Sequence, residues 1–148
     1  MKKFQYSLQK ILDLKEREKE QAEWAFGKSM QKKNEEEEKL IRMHERKEEL
    51  TQHLFQVQAG VCSAAQLLDI TRYRQTMDQA IVNQQKTLFG CEQELEAFKQ
   101  RLTMKMQESQ LWQKLREKAK DSFDEAEKNR DQKEMDEIGL NRYLRKTI

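Results

Sequence analysis

Apolar residues recur along most of the chain at the alternating spacing of three and four residues that is typical of coiled-coil helices. In the second half the series comprises Met77, Ile81, Gln84, Leu88, Cys91, Leu95, Phe98 and Leu102, with a looser continuation through Ser109, Trp112, Arg116, Ala119, Phe123 and Ala126. The first half carries two similar stripes, Phe4, Leu8, Ile11, Leu12, Leu14 and then Leu40, Met43, Leu50, Leu54, Val57. This pattern predicts two long amphipathic helices.

One stretch, residues 59–63, carries the signals for ending one helix and starting another. Gly60 favours the left-handed conformation that closes many helices. Ser63 and Gln66 fit a capping box, in which each side chain bonds to the backbone N–H of the other residue. A reversal here would place residue i opposite a residue numbered roughly 123 minus i, which predicts an antiparallel two-helix rod.

The predicted boundaries are about residues 3–58 for the first helix and about 64–138 for the second, in a single coiled-coil domain spanning residues 1–148. Gly139 could close the second helix in a Schellman motif. Continuation of the helix to about residue 145 is the alternative.

The hairpin register also predicts which residues face each other at the free end. Phe4 would face the neighbourhood of Ala119, Leu8 that of Leu115, and residues from about 120 onward would have no partner. We therefore expect an all-α antiparallel coiled-coil hairpin with a projecting C-terminal helical end.

Composition supports long helices over a globular core. The 148 residues include no proline and four glycines, whereas average usage would give roughly seven prolines. Charged residues make up 38% and hydrophobic residues 36% of the chain, which is typical of coiled coils. Intrinsic disorder is the competing interpretation, but the net charge of +2 and the absence of proline argue against it.

The chain lacks the motifs of an enzyme, so we expect no catalytic activity, cofactor or metal. His44 and His53 have no second ligand at metal-binding spacing, and no phosphate loop or nucleophile motif is present. Basic runs are interleaved with acidic residues, which argues against nucleic-acid binding. Cys62 and Cys91 would lie too far apart for a disulfide, so we expect free thiols in a reducing compartment.

Targeting signals are also missing from the sequence. The N-terminal residues lead into charged sequence without an apolar signal region, and no stretch approaches the roughly 18 apolar residues of a membrane span. We therefore predict a cytoplasmic location.

The region around the turn is unusually poor in charge. Between Leu50 and Cys91 the charged residues are Asp69, Arg72, Arg74, Asp78 and Lys86. Two helices bury one stripe each, so part of the apolar material in this region would be exposed. Exposed apolar surface often marks a partner site, and packing of the turn is the alternative explanation.

Four segments resemble the FliJ family of the flagellar type III export apparatus. Residues 4–16, an aromatic followed by Leu-x-x-Ile-Leu-x-Leu-Lys, look like the family's opening, and residues 60–63 look like its hairpin. Residues 115–118 and 131–138 look like its C-terminal helix. The order and spacing of these segments cover essentially the whole chain.

The resemblance implies a non-enzymatic, stalk-like coiled coil similar to the central stalk of rotary ATPases. Its free end would sit in the pore of the hexameric export ATPase, FliI, and promote its assembly and activity. Another part would contact the cytoplasmic domain of the export gate protein, FlhA, and the protein would help to escort export chaperones. It would act in flagellum biogenesis, motility and chemotaxis, at the cytoplasmic face of the inner membrane and bound there through its partners alone.

The resemblance also suggests sites. The ATPase-facing end would comprise Phe4, Leu8, Ile11, Leu115 and Arg116, together with the projecting tail. The gate-facing patch would comprise Tyr73, Met77 and Ile81, although packing within the seam is the alternative for the last two.

Two other functions remain open at this point. One is the equivalent stalk of a virulence injectisome, and the other is a coiled-coil scaffold or substrate-escort chaperone without an ATPase role. Stimulation of a hexameric ATPase would distinguish a stalk from a scaffold. The sequence also leaves open whether the chain is a monomer or a dimer with exchanged helices.

Overall fold

The computed structural model describes residues 2–60 and 63–147, which form two helices, α1 (Gln9–Ala59) and α2 (Ala64–Thr147). The helices pack against each other as an antiparallel hairpin, and no strand occurs in the described ranges. The predicted all-α fold is confirmed.

The seam between the helices follows the predicted spacing along α2. Every predicted seam residue from Met77 to Phe123 is buried or half-buried, and Ala126 alone of the series is exposed. Ile81, Cys91 and Ser109 are the most deeply buried of the α2 residues. The seam uses two of every seven residues, so a chain with 38% charged residues can still form a continuous packed interface.

Helix α1 begins at Gln9, so the predicted start near residue 3 is wrong. Residues 2–6 have no regular structure, and the first turn forms where the Leu8 carbonyl accepts from the N–H groups of Ile11 and Leu12, both at 3.1 Å. The aromatic ring of Phe4 packs instead against Phe123 of α2. This tertiary contact favours an irregular N-terminal segment over continued helix.

The turn contains the predicted capping box. The Ser63 hydroxyl accepts from the Gln66 N–H at 3.2 Å, and the Gln66 side chain accepts from the Ser63 N–H at 3.2 Å. The left-handed conformation expected of Gly60 is not adopted. The Gly60 N–H donates instead to the Val57 carbonyl at 3.3 Å, a tightened last turn that satisfies the helix end without a positive φ.

The C-terminal part of α2 continues through Gly139 to Thr147, so of the two endings that the sequence left open, the continued helix is formed and the Schellman ending at Gly139 is not. A helical glycine costs about 1 kcal/mol relative to alanine, and good helix formers on both sides offset that cost. All side chains from residue 128 to residue 146 are exposed. The predicted projecting segment is therefore confirmed, although it begins near residue 128 instead of 120 because Phe123 packs against Phe4.

Contacts divide the chain into two compact units, and both helices contribute to each. Unit 1 comprises Met1–Glu20 and Met104–Ile148, and unit 2 comprises Gln21–Thr103. The predicted ATPase-facing residues lie in unit 1, and the turn and the predicted gate-facing residues lie in unit 2. Neither helix, over its described residues, contains a segment apolar and long enough to cross a membrane.

Candidate partner-binding surfaces

A closed network of four charged side chains joins the helices in unit 1. Lys15 Nζ lies 3.2 Å from the Glu108 carboxylate and 3.6 Å from that of Glu18, and Lys105 Nζ lies 3.1 Å and 3.7 Å from the carboxylates of Glu18 and Glu108. The hydrogen bond with Glu108 raises the pKa of Lys15, and the bond from Lys105 lowers the pKa of Glu18. The cross-helix pairs 15/108 and 18/105 both follow the predicted register of 123.

The other flank of unit 1 is held by side-chain hydrogen bonds between the helices. The Glu16 carboxylate accepts from the hydroxyl of Ser109, which is 2% exposed, and from the amide of Gln113 at 2.5 Å. The bond from Ser109 is the main reason that the pKa of Glu16 is lowered. Arg116 Nε donates to the Gln9 side-chain oxygen at 3.1 Å. A buried serine that finds an acceptor only in one alignment favours this register over its neighbours.

The charged network marks one flank of unit 1, and exposed apolar side chains continue that flank. On α1, Ile11 lies one turn before Lys15 and two turns before Glu18. On α2, Leu115 lies two turns after Glu108. Helical spacing therefore places Ile11 and Leu115 on the same flank as the charged network. The exposed apolar residues of this flank are 36% to 56% exposed and comprise Leu8, Ile11, Leu14, Leu111 and Leu115. We call these five residues the leucine flank.

The five residues predicted for the ATPase-facing end therefore have two different roles. Leu8, Ile11 and Leu115 belong to the leucine flank. Phe4 and Arg116 instead contact each other, with the guanidinium carbon 5.7 Å from the ring centroid, and both are half-buried. These two residues anchor the N-terminal segment.

Sequence reasoning missed two members of the leucine flank. Leu14 lies three residues after Ile11, and Leu111 lies four residues before Leu115, so both share a helix face with a predicted residue. Extending the search from the seam to the positions beside it would have found them.

In unit 2, Tyr73 lies in a groove between the helices. The Arg46 guanidinium carbon lies 6.0 Å from the Tyr73 ring centroid, and the groove is lined by Met43, Arg46, Tyr73, Thr76, Met77 and Ala80. Tyr73 is 43% exposed and Met77 is half-buried. We call this surface the Tyr73 groove.

Ile81, the third residue predicted for the gate-facing patch, does not reach this surface. Its side chain is 6% exposed and packs in the seam, because it continues the four-three spacing from Met77. The patch thus contains two of the three predicted residues, with Arg46 as an additional charged member.

A second groove in unit 2 surrounds an exposed tryptophan. Trp24 is 66% exposed and lies beneath the Lys28 amine, 4.8 Å from the ring centroid. Ala25 and Phe98 line this groove together, as the register of residue i opposite 123 minus i requires. The same groove carries the ion pair between Lys32 and Glu94 at 3.7 Å.

The described residues contain no cluster of three or more histidine, cysteine, aspartate or glutamate side chains that could hold a metal ion. Cys91 is a buried free thiol, whereas Cys62, and with it the Cys62 half of the predicted thiol pair, lies outside the described residues.

Comparison with known proteins finds a matching family model, a relative and a similar solved structure. The family model described as "Flagellar FliJ protein" matches residues 4–147. The flagellar FliJ protein of Bacillus subtilis (strain 168) is 27% identical over 141 residues, which is 95% of this chain and 96% of the relative. The solved structure of a YscO homolog, CT670 from Chlamydia trachomatis, superimposes with a TM-score of 0.70 at 20% identity, covering 98% of this chain and 99% of that chain. At that identity the structural likeness supports the fold alone.

Proposed function

Because this chain belongs to the flagellar FliJ protein family, we propose that it is the stalk-like component of the flagellar type III export apparatus that binds the hexameric export ATPase, FliI. The single observation that carries this proposal is the leucine flank of unit 1. Five large aliphatic side chains lie exposed beside a fixed charged network, and a solvent-exposed patch of this kind is typical of a protein-binding surface.

The geometry of unit 1 suits a part that must keep its shape inside a ring. The helices are joined by ion pairs on one flank and by the Glu16, Ser109 and Gln113 bonds on the other. These contacts hold the exposed leucines in fixed positions, which lowers the ordering cost of binding. Promotion of ring assembly would then follow if each bound ATPase subunit contacts the same end of the hairpin.

The second proposed contact is between the Tyr73 groove and the cytoplasmic domain of the export gate protein, FlhA. An exposed tyrosine beside a half-buried methionine and an arginine has the composition of a binding hot spot. Tyr73 and Met77 supply the apolar area and Arg46 supplies the charge.

Export chaperones are the third proposed class of partner. The exposed Trp24 groove offers a surface that neither the ATPase nor the gate would need to occupy. With these partners the protein would be cytoplasmic and would associate with the inner membrane at the flagellar base only through them.

ATP hydrolysis by the cognate export ATPase, measured with and without this chain while light scattering follows ring assembly, tests the proposal. We expect stimulation together with hexamer formation, and loss of both when residues 1–14 or residues 120–148 are removed. Circular dichroism on each truncated chain checks that α1 and α2 are still helical. A folded full-length chain that leaves hydrolysis unchanged would favour a scaffold or substrate-escort role instead.

A further inference from the structure

One flank of unit 2 carries a row of exposed apolar side chains that the proposed function does not use. On α2 the row contains Leu68, Val82 and Phe89, which are separated by multiples of seven residues, and on α1 it contains Ile41 and Phe55. Their exposed fractions range from 42% to 68%. Seven-residue spacing keeps side chains on one face of a coiled-coil helix. We call these five residues the apolar stripe.

The apolar stripe lies on the opposite flank of unit 2 from the Tyr73 groove. Each residue advances about 100° around a helix, so a residue just after a seam position leans to one flank and a residue just before it leans to the other. Val82 follows the buried Ile81, whereas Tyr73 precedes the half-buried Arg74. The contact between Arg46 and Tyr73 identifies the flank of the groove. The stripe is therefore a separate surface.

The stripe is arranged symmetrically about one level of the hairpin. On α1 its two members lie seven residues on either side of Glu48, and on α2 two of its members lie seven residues on either side of Gln75. Glu48 and Gln75 lie at nearly the same level, because Lys47 Nζ reaches the Asp78 carboxylate at 2.6 Å. A single two-fold axis at this level would therefore exchange Ile41 with Phe55 and Leu68 with Val82, and Phe89 is the one stripe residue without a counterpart in the stripe.

We propose that the apolar stripe is the contact through which two copies of this chain pack antiparallel, flank against flank, about such an axis. In this arrangement α1 lies against α1 of the second copy and α2 lies against α2, which forms a local four-helix bundle. Leu68 meets Val82 of the second copy, and Ile41 meets Phe55 of the second copy. Every one of these four side chains is exposed in the single chain and is covered in the pair.

Two features of the flank favour a second copy over a foreign charged helix. The positions between the stripe and the seam on this flank are His44, Thr51, Thr71, Asp78 and Gln85. The one acidic residue among them, Asp78, is already paired with Lys47, so these positions offer little to a charged partner helix. Gln75 lies next to the proposed axis, and a glutamine amide is both donor and acceptor, so the two copies can satisfy each other there. A polar pair of this kind also fixes the register of packed helices.

Substitution of Glu48 tests whether the association constant of the pair can be raised as well as lowered. It is the unpaired acidic residue of the α1 flank, and the axis would bring the Glu48 carboxylates of the two copies together, where like charges oppose association. Asp78, the acidic residue of the α2 flank, already has Lys47 as its partner. Glu48→Gln is therefore expected to strengthen the pair, an effect that a general loss of structure would not produce.

Sedimentation velocity of the full chain over a wide concentration range tests the proposal. The wild-type chain is expected to form a dimer, Val82→Glu to lower the association constant at least about tenfold because it buries an unpaired charge, and Glu48→Gln to raise it. The matched control, Asn83→Glu, places the same charge on the neighbouring residue outside the stripe and is expected to leave the dimer unchanged. A wild-type monomer at every concentration, or a dimer that is indifferent to Val82→Glu, would overturn the proposal.

Crosslinking locates the axis independently. In a chain carrying Cys62→Ser and Cys91→Ala, a Gln75→Cys variant is expected to crosslink to itself with a short bismaleimide, whereas Asn83→Cys is expected to crosslink poorly. A dimer in which Gln75→Cys does not crosslink, as in an exchange of whole helices through the turn, would contradict the proposed axis.

Discussion

The ring of Phe4 lies against the ring of Phe123, with centroids 5.5 Å apart and planes inclined by 52°. The Arg116 guanidinium contacts the same Phe4 ring. Through these contacts the irregular residues before α1 are held against α2. The hairpin register places Phe4 opposite Ala119, and Phe123 and Arg116 lie one helical turn after and before Ala119.

A double-mutant cycle on this aromatic pair measures what the contact contributes. Phe4→Ala and Phe123→Ala are each expected to destabilise the hairpin, with a coupling energy of about 0.5–1.5 kcal/mol, the usual value for an inclined aromatic pair. Urea denaturation followed by circular dichroism gives the free energies of unfolding. Strictly additive effects would mean that the two rings do not interact in solution.

Reversal of one ion pair tests the register of unit 1. Lys15→Glu places a third carboxylate beside Glu18 and Glu108, and Glu108→Lys places a third amine beside Lys15 and Lys105. Each single variant is expected to lower the melting temperature, and the double variant is expected to recover part of the loss. The coupling should be about 0.2–1 kcal/mol, because the pair is partly exposed, and it should shrink in high salt. A double variant as unstable as the sum of the singles would contradict the register.

Acidification is expected to destabilise the hairpin. Bonds from Ser109, Lys105 and Gln84 lower the pKa values of Glu16, Glu18 and Glu36, respectively. A carboxyl group whose pKa is lower in the folded state stabilises the fold fully when the pH is above its ordinary pKa of 4.5. This stabilisation is lost as the pH falls through the pKa of the folded state.

Melting temperatures recorded from neutral pH to about pH 3 check this sign, since carboxylates titrate in that range. The Glu16→Gln variant should start less stable and lose less on acidification, because it cannot take up a proton at this position. Glu38→Gln, a change at an exposed carboxylate, serves as the control. Equal acid sensitivity of the Glu16→Gln variant and the wild type would remove Glu16 from the explanation.

Replacement of Tyr73 and Met77 by alanine is expected to weaken binding to the cytoplasmic domain of FlhA by roughly tenfold or more, as truncation of hot-spot residues does. Both side chains line the Tyr73 groove, and Tyr73 is exposed, so helicity should change little. Isothermal titration calorimetry provides the measurement. Trp24→Ala, at the other groove of unit 2, should bind normally, and unchanged affinity of the Tyr73→Ala, Met77→Ala variant would remove the groove from the gate contact.

Most of the fold could be predicted from the sequence because it depends on local spacing. The four-three series located the α2 seam, and the capping box at Ser63 and Gln66 located the turn. The register then followed from the chain length between the turn and each residue, and the pairs 15/108 and 18/105 agree with it.

The errors arose where tertiary contacts override local signals. The spacing of Leu8, Ile11 and Leu12 predicted one buried stripe. In the structure Leu12 alone of the three is buried, and Leu8 and Ile11 are exposed. The glycine signal at position 60 predicted a left-handed helix end, yet a tightened turn satisfies the backbone there without it. At Gly139 the sequence left both an end and a continued helix open, and the helix continues. Leu14 and Leu111 were missed as members of the leucine flank because they lie beside the seam and not in it.

Stimulation of ATP hydrolysis by an Ile11→Ser, Leu115→Ser variant shows whether the leucine flank binds the export ATPase. Both side chains are exposed in the free chain, so the variant should keep its helicity while its apparent affinity for the ATPase falls by about tenfold or more. Met106→Ser, a residue of similar exposure on the other flank of unit 1, should stimulate like the wild type. A helical Ile11→Ser, Leu115→Ser variant that stimulates hydrolysis as well as the wild type would contradict the account.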